Sequence, residues 1–447
     1  MTYNLTKGSI LKNIVFFSLP FFLSYFLQTL YGLADLFIAG QYNGAEVISA
    51  VAIGSQIMHM LTVIIVGLAT GTSVLISRAV GAGKEKSISC IMGSTVILFS
   101  VVAVMATVSL LLSSSGIVRL MSTPAESIEE TKRYLRICFA GIPFIIAYNV
   151  ISSIFRGLGD SKTPLFFVAI ACVINIVLDF VFMGALNMGA AGAAYGTVVA
   201  QACSVLCAVG AIKKFDMGIH LSKKDFSLSG SHFSKMLAIG LPIAVQDGFI
   251  QISFLIITII ANKRGVDVAA AVGIVEKIIC FLFLVPSTML STVSSISAQN
   301  MGAGEVGRAK KTLVAGSAMA AGIGVFFSLV FQFAAQPVMK LFTQNEAVVE
   351  LGTQYLKTYV LDCIVAGIHF PFSGFFSAFG FSMVSFVHNV CSIIMVRIPG
   401  AYLAALYFPK TLYAMGLAAP AGSLLSVCIC IGAYLYMQHK GKFDRTA

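Results

Sequence analysis

Long apolar stretches alternate with short polar segments along the whole chain. Each apolar stretch has about the 20 residues that a helix needs to cross a bilayer core at 1.5 Å rise per residue. The pattern predicts an all-α integral membrane protein with twelve transmembrane helices. The predicted spans cover about 14–39, 47–76, 89–113, 134–157, 164–186, 190–212, 236–262, 268–298, 312–335, 354–379, 383–407 and 411–437.

The second half of the chain repeats the first at an offset of about 221 residues. Leu19-Pro20 corresponds to Leu241-Pro242, and Gly81-Ala82-Gly83 corresponds to Gly302-Ala303-Gly304. Because each copy holds six spans, both enter the membrane in the same orientation. Such parallel repeats predict two six-helix lobes around a central cavity. The predicted domains are an N-terminal lobe at 1–212, a cytosolic linker at 213–235 and a C-terminal lobe at 236–447.

Composition supports the membrane assignment, since the mean hydropathy is +0.94 and only 11% of residues are charged. The net charge of +11 does not indicate nucleic-acid binding. With both termini inside, the predicted cytosolic segments hold about twice as many Lys and Arg residues as the outer ones. This bias predicts a multi-pass plasma-membrane protein with both termini cytosolic. The first apolar run is too long for a cleavable signal peptide. The ten cysteines are expected to be buried apolar residues that neither form disulfides nor bind a metal.

A carboxylate lies inside the first predicted span. Asp35 is the one Asp, Glu, Lys or Arg residue in 14–39. A charge at membrane depth costs at least about 2.5 kcal/mol, so such a residue is a functional candidate. Gln28, Tyr31 and Asp35 are spaced i, i+3, i+7 and share one face of the helix.

A second carboxylate, Asp179, lies one helical turn after Asn175 in the fifth span. Helical rise places Asp35 and Asp179 in the outer half of the same lobe. Asn149, Thr197 and Gln201 lie at comparable levels in the fourth and sixth spans. These side chains are predicted to line one pocket.

Four motifs resemble those of the multidrug and toxic compound extrusion (MATE) family of cation antiporters, and the likeness covers nearly the whole chain. Because both acids lie in the first lobe, the chain resembles the DNA-damage-inducible branch. The motifs are Gly32-Leu33-Ala34-Asp35, Arg78-Ala79-Val80-Gly81-Ala82-Gly83, Arg156-Gly157-Leu158-Gly159-Asp160-Ser161-Lys162-Thr163-Pro164 and Gln299-Asn300-Met301-Gly302-Ala303-Gly304.

The resemblance implies a secondary antiporter that exports small organic cations or amphipathic drugs in exchange for protons or sodium ions. It also implies no cofactor besides the coupling ion, and we expect a monomer in contact with membrane lipid. By resemblance, the polar cluster of the branch corresponds to Gln28, Tyr31, Asp35, Asn149, Asn175, Asp179 and Thr197.

The residues suggest a coupling mechanism. Two carboxylates in a poorly hydrated pocket cannot both stay charged at low cost, so they are predicted to bind a proton or sodium ion with Asn175. Neutralising Asp35 and Asp179 would weaken binding of a cationic substrate. It would also let the first helix bend at Pro20, which is the predicted hinge.

The second lobe lacks both acids at the corresponding positions, since Asp35 aligns with Ile257 and Asp179 with Gly400. Asp247 and Glu276 are candidates for a second polar site there. An ion pair such as Glu276 with Arg397 is the competing interpretation, and it is the favoured one for these charges.

Two other functions are consistent with part of the pattern. A flippase for lipid-linked or lipid substrates in the same wider superfamily would have a basic cavity, whereas the first-lobe acids predict an acidic one. The GxGD sequence at 157–160 matches a signature of intramembrane aspartyl proteases. Asp160 is predicted at the cytosolic edge, away from Asp35 and Asp179, so we expect the protein not to be an enzyme.

Overall fold

The computed structural model describes residues 4–121, 123–214, 222, 225–226 and 230–444. Within these ranges the regular structure is helical and contains no strand. The α-helices are α1 Ile10–Tyr42, α2 Ala45–Gly81, α3 Glu85–Leu120, α4 Ile128–Ala140, α5 Ile142–Gly157, α6 Lys162–Asp179, α7 Ala190–Lys214, α8 Gly230–Asn262, α9 Val266–Leu282, α10 Leu284–Gly302, α11 Val306–Lys340, α12 Glu346–Tyr359, α13 Asp362–Ala378, α14 Ser382–Ser392, α15 Ile398–Tyr407 and α16 Tyr413–His439.

The helices confirm the predicted fold class. Eleven helical stretches of the described chain are long and apolar enough to cross a membrane, and a bent pair, 125–140 with 142–157, makes twelve. The bend of 49° falls at Gly141, just before Pro143 in the first turn of α5. A Cβ atom at Gly141 would lie 2.4 Å from the Val198 side chain, so α5 begins where the chain passes closest to α7. The fourth predicted span is therefore a broken helix.

The chain forms two compact units. The first contains the described residues of 19–237, and the second contains 4–18 and those of 238–447. The boundary between the two units falls between Ser18 and Leu19, beside Pro20. The helix α1 nevertheless continues through this point as one α-helix. The lobe boundaries at 1–212, 213–235 and 236–447 stay a prediction, and most of the linker lies outside the described residues.

Each unit has its own apolar core. In the first, Tyr148 and Phe155 of α5 pack with Phe167 of α6 and Ala208 of α7. In the second, the largest cluster joins α9, α12 and α16 around the fully buried Tyr359. All ten cysteines are unpaired, as expected. Only four of them are buried, so the expectation of uniform burial was wrong.

The repeated glycine motifs end helices. After α2, Gly83 has φ of 66°, and after α10, Gly304 has φ of 78°. Backbone N–H groups there donate back into the helix, from Lys84 to the Ala79 carbonyl and from Glu305 to the Asn300 carbonyl. Only glycine adopts such positive φ values at no steric cost, so both motifs are helix caps.

The GxGD sequence forms a turn and a helix cap. Gly159 has φ of 87°, which places the Asp160 carboxylate at the start of α6. Its Oδ1 accepts hydrogen bonds from the backbone N–H groups of Lys162 at 2.9 Å and Thr163 at 3.1 Å. Asp160 therefore satisfies N–H groups that a helix start leaves unpaired. Helix capping therefore explains the presence of Asp160 in the GxGD sequence, and a protease function is not needed to explain it.

Candidate functional site

Two carboxylates meet in the interior of the first unit. Asp35 of α1 faces Asp179 and Asn175 of α6 and Thr197 of α7. Asp35 is 3% exposed and Asp179 is fully buried. Three helices thus bring two acids, an amide and a hydroxyl to one place, and we call these four residues the acidic cluster.

The close approach of α6 and α7 depends on a glycine. A Cβ atom at Gly196 would lie 2.3 Å from Oδ1 of Asp179, which is too close for any side chain. After Asp179 the helix widens into a π-helical turn, Phe180–Ala185. Such turns occur as local irregularities, frequently at functional sites.

Most polar side-chain atoms of the acidic cluster make no hydrogen bond of normal geometry. Oδ1 of Asp35, both carboxylate oxygens of Asp179, both polar side-chain atoms of Asn175 and Oγ1 of Thr197 are buried, and none makes a hydrogen bond of normal geometry to another described residue. Nor does either acid form an ion pair within 4.0 Å, because the described ion pairs are Lys132–Glu129 and Lys340–Glu346. Buried polar groups are nearly always satisfied, so these atoms are suited to a small cation, a proton or water.

The structure brings some further predicted residues to this cluster. Tyr31 faces Asp35 and the buried amide of Gln201. Gln28, in contrast, faces the Tyr148 hydroxyl. Asn149 donates to the Ile145 carbonyl of its own helix at 2.8 Å, so its hydrogen bond stays within α5.

Sequence reasoning missed Tyr134 of α4 as a neighbour of Asp35. Its hydroxyl lies 3.3 Å from the Ser55 hydroxyl of α2, and its ring fills the space that a Cβ at Gly54 would need. The repeat contains a signal for this residue, because Tyr134 corresponds to Tyr355, which also lies near buried charges in the second unit.

The buried charges of the second unit lie around Arg397. Arg397, which ends the π-helical turn Ile393–Arg397, donates to the Tyr359 hydroxyl at 2.6 Å and lies 4.7 Å above the Phe254 ring. Asp362 and Glu276 face the same guanidinium. Glu276 accepts a hydrogen bond from Thr258 at 3.2 Å, so the direct Glu276–Arg397 ion pair of the competing interpretation is not formed.

The two second-lobe candidates therefore have different surroundings. Glu276 belongs to the group around Arg397, whereas Asp247 faces the neighbouring Gln246 of its own helix. The first unit holds two buried acids without a direct basic partner, and the second holds acids around an internal cation.

Gly196 supplies a test of the packing around Asp179. We expect Gly196→Ala to reduce transport strongly while the protein still folds, because the added methyl displaces the carboxylate and alanine favours helix by about 1 kcal/mol over glycine. Transport and thermal stability of the purified variant should be measured together. Gly210→Ala on the same helix is the matched control, since a Cβ there meets nothing within 4 Å. Equal transport by the two variants would contradict the assigned role of Gly196.

The fold and the buried acids define a class, the multi-pass helical membrane proteins with a polar interior site. The solved outward-facing conformation of a multidrug resistance MATE family transporter of the MOP superfamily has the same fold, with a TM-score of 0.91 at 22% identity over 100% of this chain and 99% of that one. The MatE family model matches residues 20–181 and 242–403, which is well over half of the sequence. The chain belongs to the MatE family of membrane transporters.

Two curated relatives are similar over most of their length. Probable multidrug resistance protein YpnP of Bacillus subtilis is 28% identical over 98% of this chain and 97% of its own. Multidrug export protein MepA of Staphylococcus aureus is 24% identical over 85% of this chain and 84% of its own. The family match in two segments also agrees with the predicted repeat.

Proposed function

We propose that this protein is a multidrug antiporter of the plasma membrane, which exports organic cations or amphipathic drugs in exchange for protons or sodium ions. The names of the two relatives support the export of drugs. The observation that carries the ion coupling is the acidic cluster, with its unpartnered oxygen atoms. The proposal includes cytosolic termini and a monomeric transporter.

The chemistry of the acidic cluster suits exchange between cations. Two carboxylates that face one another repel while both are charged, and burial strengthens the repulsion. A proton or sodium ion neutralises part of this charge, and so does a cationic substrate. Since all three relieve the same repulsion, occupation of the site by one disfavours the others, which is the requirement for antiport.

The donor atoms suit either coupling ion. Carboxylate, amide and hydroxyl oxygens are the ligands that hard cations prefer. The described residues contain no group of three or more His, Cys, Asp or Glu side chains with metal-binding geometry, so the cluster resembles a transition-metal site poorly. Asp35, Asp179 and Asn175 would hold a sodium ion, or the two acids would share a proton.

A conformational step is proposed at α1. Proline cannot donate the backbone hydrogen bond of a regular helix, and Pro20 lies 15 residues before Asp35 in the same helix. Neutralising Asp35 would remove its repulsion with Asp179, and α1 would then bend at Pro20.

Uptake into proteoliposomes tests the proposed function. A fluorescent organic cation should accumulate only when an opposing proton or sodium gradient is imposed, and imposing the two gradients separately identifies the coupling ion. Vesicles without protein and vesicles with dissipated gradients are the controls. Uptake that is equal with and without either gradient would overturn the antiport proposal.

The lipid flippase is the second function to be tested. A flippase for lipid-linked substrates would need a basic cavity. The buried Arg397 does not supply one, because Asp362 and Glu276 face its guanidinium and offset its charge. Movement of a labelled lipid in the same vesicles, without uptake of the cation, would favour the flippase instead.

A further inference from the structure

A cavity of about 590 Å³ lies in the second unit. Its walls come from residues 325–332 of α11, the junction of α12 with α13 and the first residue of α16. The volume is in the range of small-molecule sites in proteins. Neither the acidic cluster nor the group around Arg397 includes any of its lining residues.

The junction that forms the wall is held by hydrogen bonds. At the break between α12 and α13, Gln332 donates to the Lys357 carbonyl at 2.9 Å, and Ser328 donates to the Val360 carbonyl at 3.1 Å. Both donors lie on α11, so two side chains of this helix tie it to backbone carbonyls at the break between α12 and α13. The cavity is therefore built into the fold.

Polarity changes along the cavity axis. The end nearest the loops carries Gln332, Lys357 and Tyr413. One and two helical turns deeper the lining is apolar, with Leu329 and Val325 on α11. Leu361, just before α13, and Ile364 on α13 add further apolar lining. An amphipathic ligand would therefore place its polar head at the end with Lys357 and its apolar chain against Leu329 and Val325.

The polar end is basic. Lys357 forms no ion pair within 4.0 Å with any described acid, whereas the neighbouring Lys340 pairs with Glu346 at 3.5 Å. Tyr413 is the first residue of α16, which is long and apolar enough to cross a membrane, so this end lies at the membrane boundary. A lysine at that level can place its ammonium among lipid headgroups.

We propose that this cavity binds one acyl chain of an anionic phospholipid, with the phosphate at Lys357. In the predicted topology the lipid belongs to the outer leaflet. Leu329 and Val325 contact the chain, and the Tyr413 hydroxyl lies at the level of the headgroup. The site is separate from ion coupling, and its occupant is a resident lipid rather than cargo.

The absence of tryptophan from the sequence allows a direct measurement. Leu329→Trp places a single fluorophore in the cavity, because Leu329 is 60% exposed and tolerates a larger ring. The variant is reconstituted in vesicles that contain brominated phosphatidylglycerol or brominated phosphatidylcholine. We expect about threefold or greater preference for quenching by the anionic lipid, and this preference should weaken at high salt.

Four further variants decide the outcome. Lys357→Gln in the Leu329→Trp background should abolish the preference, and Lys357→Arg should restore it. Lys340→Gln should leave it unchanged, since that lysine is engaged with Glu346. Leu112 of α3 is 82% exposed, so the tryptophan of Leu112→Trp should be quenched equally by both lipids. Equal quenching of Leu329→Trp by both lipids, or a preference that survives Lys357→Gln, would overturn the proposal.

Discussion

Asp35→Asn should reduce gradient-driven uptake of a fluorescent organic cation by at least about tenfold, because groups that act as a unit do not substitute for one another. Asparagine keeps the size and polarity of the side chain but cannot carry the charge that a proton or sodium ion neutralises. Asp179→Asn should have the same effect, since Asp179 faces Asp35 directly. Uptake rates in proteoliposomes with equal amounts of reconstituted protein provide the measurement.

A matched carboxylate in the second unit controls for the loss of any intramembrane acid. Asp247→Asn should retain most of the uptake, because Asp247 faces Gln246 rather than another acid. The thermal stability of the detergent-solubilised variants separates loss of coupling from loss of folding. Undiminished uptake by both Asp35→Asn and Asp179→Asn would exclude the acidic cluster as the coupling site.

Much of the fold can be predicted from hydropathy alone, because a bilayer requires about 20 apolar residues for each crossing. The break at Gly141 is harder to predict. Pro143 signals a disturbance, but the contact between Gly141 and Val198 joins helices far apart in sequence. Likewise, periodicity does not reveal that residues 4–18, which include the start of the first predicted span, belong to the second unit.

Only part of the acidic cluster can be predicted from the sequence. Helical spacing correctly placed Asn175 and Asp179 on one face, and depth correctly placed Asp35 near them. Depth alone also suggested Asn149, whose amide instead bonds within α5. Which helices become neighbours depends on small residues such as Gly196, and a single glycine in an apolar run gives no sign of its partner.

The charges around Arg397 require a different explanation from those around Asp35. The guanidinium is 7% exposed, and Asp362 is 1% exposed. A protein cannot bury such acids without a nearby positive charge except at high cost. Arg397 therefore acts as an internal counter-ion to Asp362 and Glu276. The acidic cluster has no such basic partner within 4.0 Å among the described residues, which supports the proposal that ion exchange takes place in the first unit.

Arg397→Leu should destabilise the protein by about 3–5 kcal/mol, because it leaves Asp362 buried without the cation that it faces. The midpoint of thermal unfolding should fall by about 3–5 °C, which a thiol-reactive dye can report as the buried Cys363 and Cys430 become accessible. Asp362→Asn in the Arg397→Leu background should recover part of the loss by removing one uncompensated charge. Lys277→Gln, at an exposed neighbour of Glu276, should leave the midpoint unchanged. If the double variant is less stable than Arg397→Leu, then Arg397 does not serve as counter-ion to Asp362.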